Sequence, residues 1–292
     1  MGYTILENSR LRLTVDSLGA QMMSLQNLDG REYLWQGDPR YWCERAPVLF
    51  PFVGRLTGNS YRYGGQVYSM GIHGFAAHQD FSCLCPEPNR LVLELTDNRE
   101  TREQYPFAFC LKIIYELIKD RVQVTYQVEN TGTGMLPFGI GGHPGFRVPL
   151  GEGEQFDDYI LEFTGGCQPD RVGFTPQVFL SGQDQPYPLK EGKYLPLRHD
   201  LFDEDAVILK NMSREVALRS RLSPHGVQVS YPDMPYLGLW HMPNTDAPYL
   251  CIEPWSSLPA RQDVVEDFAC KSDLIQLGPG KTYVNTWSIT IF

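Results

Sequence analysis

The sequence of 292 residues lacks the features of membrane, secreted and nucleic-acid-binding proteins. No apolar run approaches the roughly 20 residues that a membrane-spanning helix needs. The start, MGYTILENSRLRL, has no basic segment followed by an apolar one, which disfavours a signal peptide. The net charge is −10 without any run of basic residues, which disfavours nucleic acid as a partner. We therefore expect a cytoplasmic protein that binds neither membranes nor nucleic acids.

Patterns that would indicate disulfides, metals or nucleotides are also missing. The seven cysteines are scattered and odd in number, which disfavours a disulfide framework and suits a reducing compartment. Cys83 and Cys85 form a C-x-C pair, but no second pair follows at zinc-site spacing. The nucleotide-binding patterns G-x-x-x-x-G-K-[ST] and strand–G-x-G-x-x-G are absent, as is the hydrolase pattern G-x-S-x-G. We expect no metal and no other cofactor.

Helix-forming patterns are scarce, whereas alternation with a period of two is common. It predicts strands at 11–16, 91–95, 109–117, 121–130, 159–163, 206–210, 215–220, 226–231, 236–241, 248–253 and 286–292. One or two helical turns are predicted within 96–105, and one within 262–268. Many strands and few helices favour an all-β fold, a large antiparallel β-sandwich.

No linker or internal repeat divides the chain, so we expect a single domain over residues 1–292. The segment 181–197 is the longest stretch without a regular pattern, and we interpret it as a surface loop.

A histidine framed by four glycines and a proline is the first candidate for chemistry. It is His143 in GIGGHPGF, which follows an apolar strand pattern. Pro144 favours an extended backbone at His143, and Gly141 and Gly142 would let a ligand approach the backbone closely. The alternative is a turn that carries a surface histidine.

A glutamate at the end of an apolar strand is the second candidate. Glu253 in LCIEPW would be costly to bury, and desolvation would raise its pKa towards that of a general base. Trp240 or Trp255 could present a flat apolar face to a pyranose ring. Alternatively, Glu253 reaches solvent from an edge strand and the tryptophans belong to the core.

Arg55 in FVGRL and His73 in GIHGF each lie next to a glycine after an apolar run. Both could donate hydrogen bonds to sugar hydroxyls, or could instead satisfy strand-end carbonyls. The histidines without such a frame are interpreted as structural or surface residues: His78, His199, His225 and His241.

Taken together, these segments resemble the aldose 1-epimerase (galactose mutarotase-like) superfamily, and most closely its LacX-like branch. The resemblance is carried, in the family's order, by VLFPFVGRLTGNSYRYGGQVY (48–68), HGFA (73–76), TREQYPFAFCLKIIYEL (101–117), VTYQVENTG (124–132), LPFGIGGHPGFRVPL (136–150), LFDEDAVIL (201–209) and LGLWHMPNTDAPYLCIEPWSSLP (237–259). It implies one β-supersandwich with a sugar-binding cleft on one sheet.

The resemblance also implies roles for individual residues. His143 matches the family's general acid and Glu253 its general base, while Arg55 and His73 match positions that hold the sugar. Asp205 lies where family members often place an acid that contacts substrate. One departure is Ala77, since relatives in this branch often read HGFAR. Its consequence would concern substrate identity rather than the chemistry.

The implied activity is cofactor-independent mutarotation of a free aldohexose such as galactose or glucose. The acid and base would act from opposite sides of the C1–O5 unit, opening and closing the ring. Two alternatives share the fold. One is a non-catalytic carbohydrate-binding protein, and the other is a hexose-6-phosphate 1-epimerase, which needs a cluster of basic residues such as Arg55, Arg62 and Arg147.

Overall fold

A computed structural model describes residues 2–84 and 86–292, which form an array of β-strands with little helix. The strands of the first half of the chain are β1 (Tyr3–Glu7), β2 (Leu11–Asp16), β3 (Met22–Asn27), β4 (Val48–Leu49), β5 (Ser60–Tyr63), β6 (Gln66–Ser69), β7 (Ser82–Cys83), β8 (Arg90–Thr96), β9 (Phe109–Ile118), β10 (Arg121–Asn130), β11 (Leu136–Phe138), β12 (Gly141–Gly142) and β13 (Gly145–Arg147). Those of the second half are β14 (Tyr159–Phe163), β15 (Asp170–Arg171), β16 (Gln185–Pro186), β17 (Tyr194–Pro196), β18 (Val207–Lys210), β19 (Glu215–Ser220), β20 (Gly226–Ser230), β21 (Tyr236–Trp240), β22 (Tyr249–Trp255), β23 (Ile275–Leu277) and β24 (Thr282–Ile291).

The helical part consists of α1 (Arg99–Gln104) and four short 3₁₀ turns, at Thr57–Asn59, Ala76–His78, Phe156–Asp158 and His199–Phe202. The predicted turns within 96–105 are thereby confirmed. Asn98 caps α1 by accepting a hydrogen bond from the backbone N–H of Thr101. No helix of the described residues is long and apolar enough to cross a membrane.

The strands predicted from alternation are confirmed, with small differences at their ends. β2, β10, β14 and β19 have the predicted bounds, whereas β24 begins at Thr282, before the predicted start at 286. Alternation in β10 buries Val122, Val124 and Val128 on one face. Burying each of these valines contributes roughly 1.5–3 kcal/mol to the stability of the fold, which favours the strand orientation that places them all on the core face.

Two predictions for individual segments are wrong. Residues 262–268 form turns rather than a helix, because the Glu266 carboxylate binds Arg261 and the backbone here pairs with Arg62 on β5. The segment 181–197, interpreted as a loop, contains β16 and β17. Each lies at the edge of a large sheet, where short strands without clear alternation are common.

Two large sheets enclose the core, which confirms the predicted antiparallel β-sandwich. One sheet has the strand order β17-β14-β19-β20-β24-β10-β9-β8-β7, and the other has β16-β15-β18-β21-β22-β12-β4, with β13 also paired to β22. Their strands pair antiparallel, and side chains from both sheets form one hydrophobic cluster. The outer face of the second sheet is left to carry the site.

Candidate active site

Strand β22 directs two sets of side chains to opposite faces of its sheet. Leu250 and Ile252 belong to the main core, whereas Cys251, Glu253 and Trp255 alternate with them and point to the other face. There a cavity of about 380 Å³ is lined by Glu253 and Trp255. The alternation of an apolar strand therefore brings a carboxylate to the wall of a cleft, as the position of Glu253 predicted.

The sheet register places His143 opposite Glu253. On the strands that flank His143, Gly141 pairs with Trp255 and Gly145 pairs with Cys251. Counting inwards from both pairs brings His143 to face Glu253, and facing residues on adjacent strands have Cβ atoms about 4.5–5.5 Å apart. Accordingly, Nε2 of His143 lies 3.2 Å from Oε2 of Glu253.

The family resemblance implies an acid and a base on opposite sides of the C1–O5 unit. In the structure, by contrast, the two side chains are in direct contact. Cross-strand pairing leaves no room for a sugar ring between them. Both are deeply buried, with 9% of His143 and 1% of Glu253 exposed. Within the described residues, His143 Nδ1 and Glu253 Oε2 are buried atoms without a hydrogen-bond partner.

Burial disfavours the charged form of each member of this pair. It raises the pKa of Glu253 well above its usual value, and the charge of Asp205 adds to the effect. It lowers the pKa of His143 well below its usual value, and His73 contributes in the same direction. Between these two titrations the pair as a unit holds one proton.

The glycines before His143 have a different function from the predicted one. A Cβ at Gly141 would lie 2.8 Å from Cδ1 of Trp255, and a Cβ at Gly142 would lie 2.7 Å from Cζ2 of Trp287. The absent side chains thus make room for packing on protein atoms rather than for a ligand. Close packing on both sides holds the backbone that carries His143.

His73 also lines the cleft, in a defined tautomer. Its Nδ1 accepts a hydrogen bond of 3.1 Å from the backbone N–H of Gly54, which leaves Nε2 as the protonated nitrogen. Burial, with a contribution from Arg55, lowers its pKa to about 4. At neutral pH His73 is therefore an uncharged donor. Its left-handed backbone (φ 62°) places it in the turn that follows β6.

The remaining predicted residues line the same cleft. Arg55 follows β4 and is exposed, Asp205 precedes β18 and Trp240 ends β21. The backbone N–H of Ala206 donates to Oδ1 of Asp205 over 2.8 Å. The structure thus brings together all six residues predicted for the site. Ala77 is outside the residues that line the cleft.

Sequence reasoning missed Trp42 and Glu44. Trp42 and Trp240 flank His143, with ring centroids 4.9 Å and 5.8 Å from the imidazole, and the two indoles meet edge to face. Burial raises the pKa of Glu44. Both residues lie in an irregular segment without a strand pattern, so nothing in the local sequence connects them with His143.

A pair of histidines, His199 and His241, lies just outside the cleft. Nδ1 of His199 and Nε2 of His241 are 3.1 Å apart, and Nδ1 of His241 lies 2.8 Å from the carbonyl oxygen of Met242. This bond joins the 3₁₀ turn that precedes Asp205 to the loop after Trp240.

The side chains of the site include one set of potential metal ligands that the sequence did not indicate. One donor atom each of His143, Cys251 and Glu253 lies within 4.8 Å of the others. Burial, together with the Glu253 and Glu44 charges, raises the pKa of the Cys251 thiol well above its usual value. All six cysteines within the described part of the chain are free.

The family model for aldose 1-epimerase matches residues 2–289. The chain belongs to the aldose 1-epimerase family. This is a family of enzymes, and the protein is accordingly an aldose 1-epimerase. Its role is that of a sugar epimerase or mutarotase.

Relatives in the aldose 1-epimerase family resemble the chain over its whole length. It is 35% identical to "Protein LacX, chromosomal" of Lactococcus lactis subsp. lactis, over 98% of both chains. Solved structures include a galactose mutarotase related enzyme from Lactobacillus acidophilus, with a TM-score of 0.95 and 32% identity over 100% of this chain and 97% of that one. A galactose mutarotase-like protein from Lactobacillus casei has a TM-score of 0.93 and 32% identity over both full chains.

Proposed function

We propose that the chain interconverts the α and β anomers of a free aldohexose, such as galactose or glucose, with His143 and Glu253 as the acid–base pair. The observation that carries this proposal is the 3.2 Å contact between His143 Nε2 and Glu253 Oε2 in the cleft. Buried polar atoms normally have hydrogen-bond partners, so the unmet hydrogen-bonding capacity of His143 Nδ1 and Glu253 Oε2 also supports a catalytic role for this pair.

The proposed reaction opens and recloses the hemiacetal ring. The carboxylate of Glu253 takes the proton of the C1 hydroxyl while the imidazolium of His143 gives a proton to the ring oxygen O5. The C1–O5 bond breaks and the C1 carbonyl forms. After rotation about C1–C2, O5 attacks the other face of C1 and the C1–O5 bond forms again, while His143 takes the proton back from O5 and Glu253 returns one to the carbonyl oxygen. Each positioned proton transfer contributes about 10²–10⁴-fold.

Neighbouring catalytic groups suit this substrate because both reacting oxygens are bonded to one carbon. The C1 hydroxyl and O5 can each face one member of the pair without the sugar passing between them. During opening His143 loses a proton to O5 and Glu253 gains one from the C1 hydroxyl, so the pair still holds one proton, now on Glu253. Closure reverses both transfers. Burial penalises the charge on either group, so it favours the distribution in which Glu253 holds the proton and His143 is neutral. The imidazolium–carboxylate distribution that begins ring opening is the higher in free energy, and its two opposite charges offset each other across the 3.2 Å contact.

The other residues of the cleft would hold the sugar in this orientation. The Nε2–H of neutral His73 and the guanidinium of Arg55 donate to hydroxyls, and Asp205 accepts from one. Trp240 offers its partly exposed ring to the apolar face of the pyranose. None of the proposed steps requires a metal, a nucleotide or a redox cofactor.

A hexose-6-phosphate is less well supported as the substrate. Among the described residues that line the cleft, Arg55 alone is an arginine or lysine. Arg147 instead lines a separate surface depression, and Arg62 lies on β5. A non-catalytic binding function is disfavoured because both members of the acid–base pair are present and in contact.

Polarimetry with α-D-galactose and α-D-glucose tests the proposal. The wild-type protein should accelerate mutarotation well above the spontaneous rate, and His143→Asn and Glu253→Gln should each lower kcat by about 10²–10⁴-fold. His225→Asn, outside the cleft, serves as the matched control and should retain full activity. Binding of either sugar without acceleration by the wild type would refute the proposal.

A further inference from the structure

A buried thiol that the proposed reaction does not use lies beside the proposed acid–base pair. Cys251 precedes Glu253 by two positions on β22, so the alternation of the strand turns both side chains to the same face of the sheet. Cys251 is fully buried in a small cluster, against which Trp42 and Trp240 pack. The thiol therefore lies beside the wall of the cleft without lining the cleft itself.

With His143 and Glu253, this thiol forms a set of three possible metal ligands. Their donor atoms all lie within 4.8 Å of one another, and His143 Nε2 is 3.2 Å from Glu253 Oε2. Zinc bonds of about 2.0–2.3 Å place neighbouring donors of a tetrahedral site roughly 3.3–3.6 Å apart. The histidine and the glutamate already have nearly this separation, and the sulfur reaches it with a shift of roughly 1 Å at most.

Polar atoms of two of these side chains lack partners. His143 Nδ1 and Glu253 Oε2 have no hydrogen-bond partner among the described residues, although only 9% of His143 and 1% of Glu253 are exposed. Buried polar atoms are nearly always satisfied, and an orphaned one indicates a water, an ion or a catalytic role. A cation at this position would use the free oxygen of Glu253 as a ligand.

The mixture of donors selects zinc. Thiolate, imidazole and carboxylate are the ligands that Zn²⁺ takes in proteins, whereas Mg²⁺ and Ca²⁺ require mainly oxygen ligands. Zn²⁺ with one thiolate, one carboxylate and one neutral imidazole has no net charge, which limits the cost of burying the site. The thiol proton and the proton held by His143 and Glu253 pass to solvent as the metal binds.

The cleft supplies a path to this site, because His143 and Glu253 line it. The carboxyl groups of Glu44 and Asp205 line it too, whereas Arg55 is the one arginine or lysine among its described lining residues. An excess of carboxyl groups, in a chain with a net charge of −10, raises the local concentration of cations. Three protein ligands leave the fourth position of zinc to a water molecule in the cleft.

We propose that Zn²⁺ entering the cleft binds His143, Cys251 and Glu253 and inhibits the enzyme. The metal takes the lone pairs that accept protons during ring opening and closure, so neither His143 nor Glu253 can transfer a proton while it is bound. This inhibition rests on the proposed mutarotase function, whereas the metal site itself does not. Zinc is thus a reversible inhibitor rather than a cofactor of this protein.

Cobalt spectroscopy tests the site without reference to activity. Co²⁺ occupies zinc sites, and a thiolate ligand gives it a charge-transfer band in the near ultraviolet. The wild-type protein should show this band, and added Zn²⁺ should remove it. Cys251→Ser and Cys251→Ala should both lack the band while their far-UV circular dichroism stays that of the wild type. Cys43→Ser removes an exposed thiol between the cleft residues Trp42 and Glu44, and as the matched control it should retain the band.

Polarimetry with α-D-galactose then measures the inhibition. Zn²⁺ should slow mutarotation by the wild type, Mg²⁺ at the same concentration should not, and a chelator should restore the rate. Loss of even an outer-shell partner costs about 10–100-fold in metal affinity, so Cys251→Ser should raise the half-inhibiting zinc concentration at least about tenfold. Each rate is compared with that of the same variant without metal, after subtraction of the protein-free rate.

The possible results separate the metal site from the function that it would block. A wild-type protein without the cobalt band, or a band that both Cys251 variants keep, overturns the site and leaves mutarotation intact. A band that disappears in Cys43→Ser instead belongs to an exposed thiol and also overturns it. Zinc inhibition that is unchanged in Cys251→Ser has the same consequence. If no sugar is turned over, the proposed function fails, and the cobalt spectra alone decide whether the metal site exists.

Discussion

At the scale of single residues, the burial of Glu253, the proposed general base, has a cost in stability. The carboxylate is 1% exposed, and one of its oxygens has no hydrogen-bond partner among the described residues. Burial raises its pKa well above the usual value. The folded protein therefore binds a proton more tightly at this group than the unfolded chain does, and stability falls as pH rises from the unfolded pKa towards the folded one.

We therefore expect Glu253→Gln to stabilise the protein while it removes activity. An uncharged side chain avoids the cost of a buried carboxylate, so the gain should increase with pH. At pH 8 the increase should be about 1 kcal/mol or more, equivalent to roughly 2–4 °C in Tm. At pH 4.5 it should be smaller. Differential scanning calorimetry at both values of pH measures the effect.

Glu87→Gln, at an exposed position, is the control for this prediction and should leave Tm unchanged within error at both pH values. A lower Tm for Glu253→Gln at pH 8 would mean that the carboxylate stabilises the fold, contrary to its burial.

At the scale of elements, the short strands β12 and β13 hold His143 by close packing as well as by backbone hydrogen bonds to neighbouring segments. A Cβ at Gly141 would lie 2.8 Å from Cδ1 of Trp255 and 2.9 Å from the carbonyl oxygen of Pro254. Both atoms belong to β22, the strand that carries Glu253. The distance between β12 and β22 is thus coupled to the contact between His143 and Glu253.

Gly141→Ala should therefore push β12 away from β22 and impair both stability and catalysis. Overpacking of this kind costs roughly 1–3 kcal/mol. The displacement should also lower kcat, with a smaller effect on KM, because His143 moves relative to Glu253. Urea unfolding and polarimetry on the same preparation measure the two effects.

Gly134→Ala provides the matched comparison, since a Cβ there meets no atom within 4 Å and the backbone is not left-handed. This variant should retain normal stability and rate. Wild-type behaviour of Gly141→Ala would show that β12 can move without affecting the site.

At the scale of the whole molecule, a single hydrophobic cluster contains residues from both large sheets and from β1–β3. The proposal that residues 1–292 form one domain follows from this continuity. We expect thermal unfolding to be one cooperative transition, with coincident curves from far-UV circular dichroism and tryptophan fluorescence.

Limited proteolysis gives an independent measurement of the same property. A single domain should be degraded without a stable fragment that retains folded structure. Two separated transitions, or a folded fragment that resists the protease, would contradict the single-domain proposal.

Local physical chemistry explains which features could be predicted from the sequence. Alternation in segments such as 121–130 predicts β10 because each apolar side chain on one face must be buried. His143 was recognisable from its neighbours in the sequence, because glycine and proline next to a polar residue indicate a backbone with special requirements. The edge strands β16 and β17 were not predictable, because they depend on pairing with distant strands rather than on their own pattern.

The sequence by itself determined the all-β class, the family resemblance and the six candidate residues of the site. Only the tertiary structure decided that His143 and Glu253 touch, that Trp42 and Glu44 join them in the cleft, and that a second cavity adjoins it. The physical reason is the range of the interactions. Strand formation follows from neighbouring residues, whereas contacts across a sheet and the pKa shifts that burial causes depend on register between segments about 110 positions apart (143 and 253).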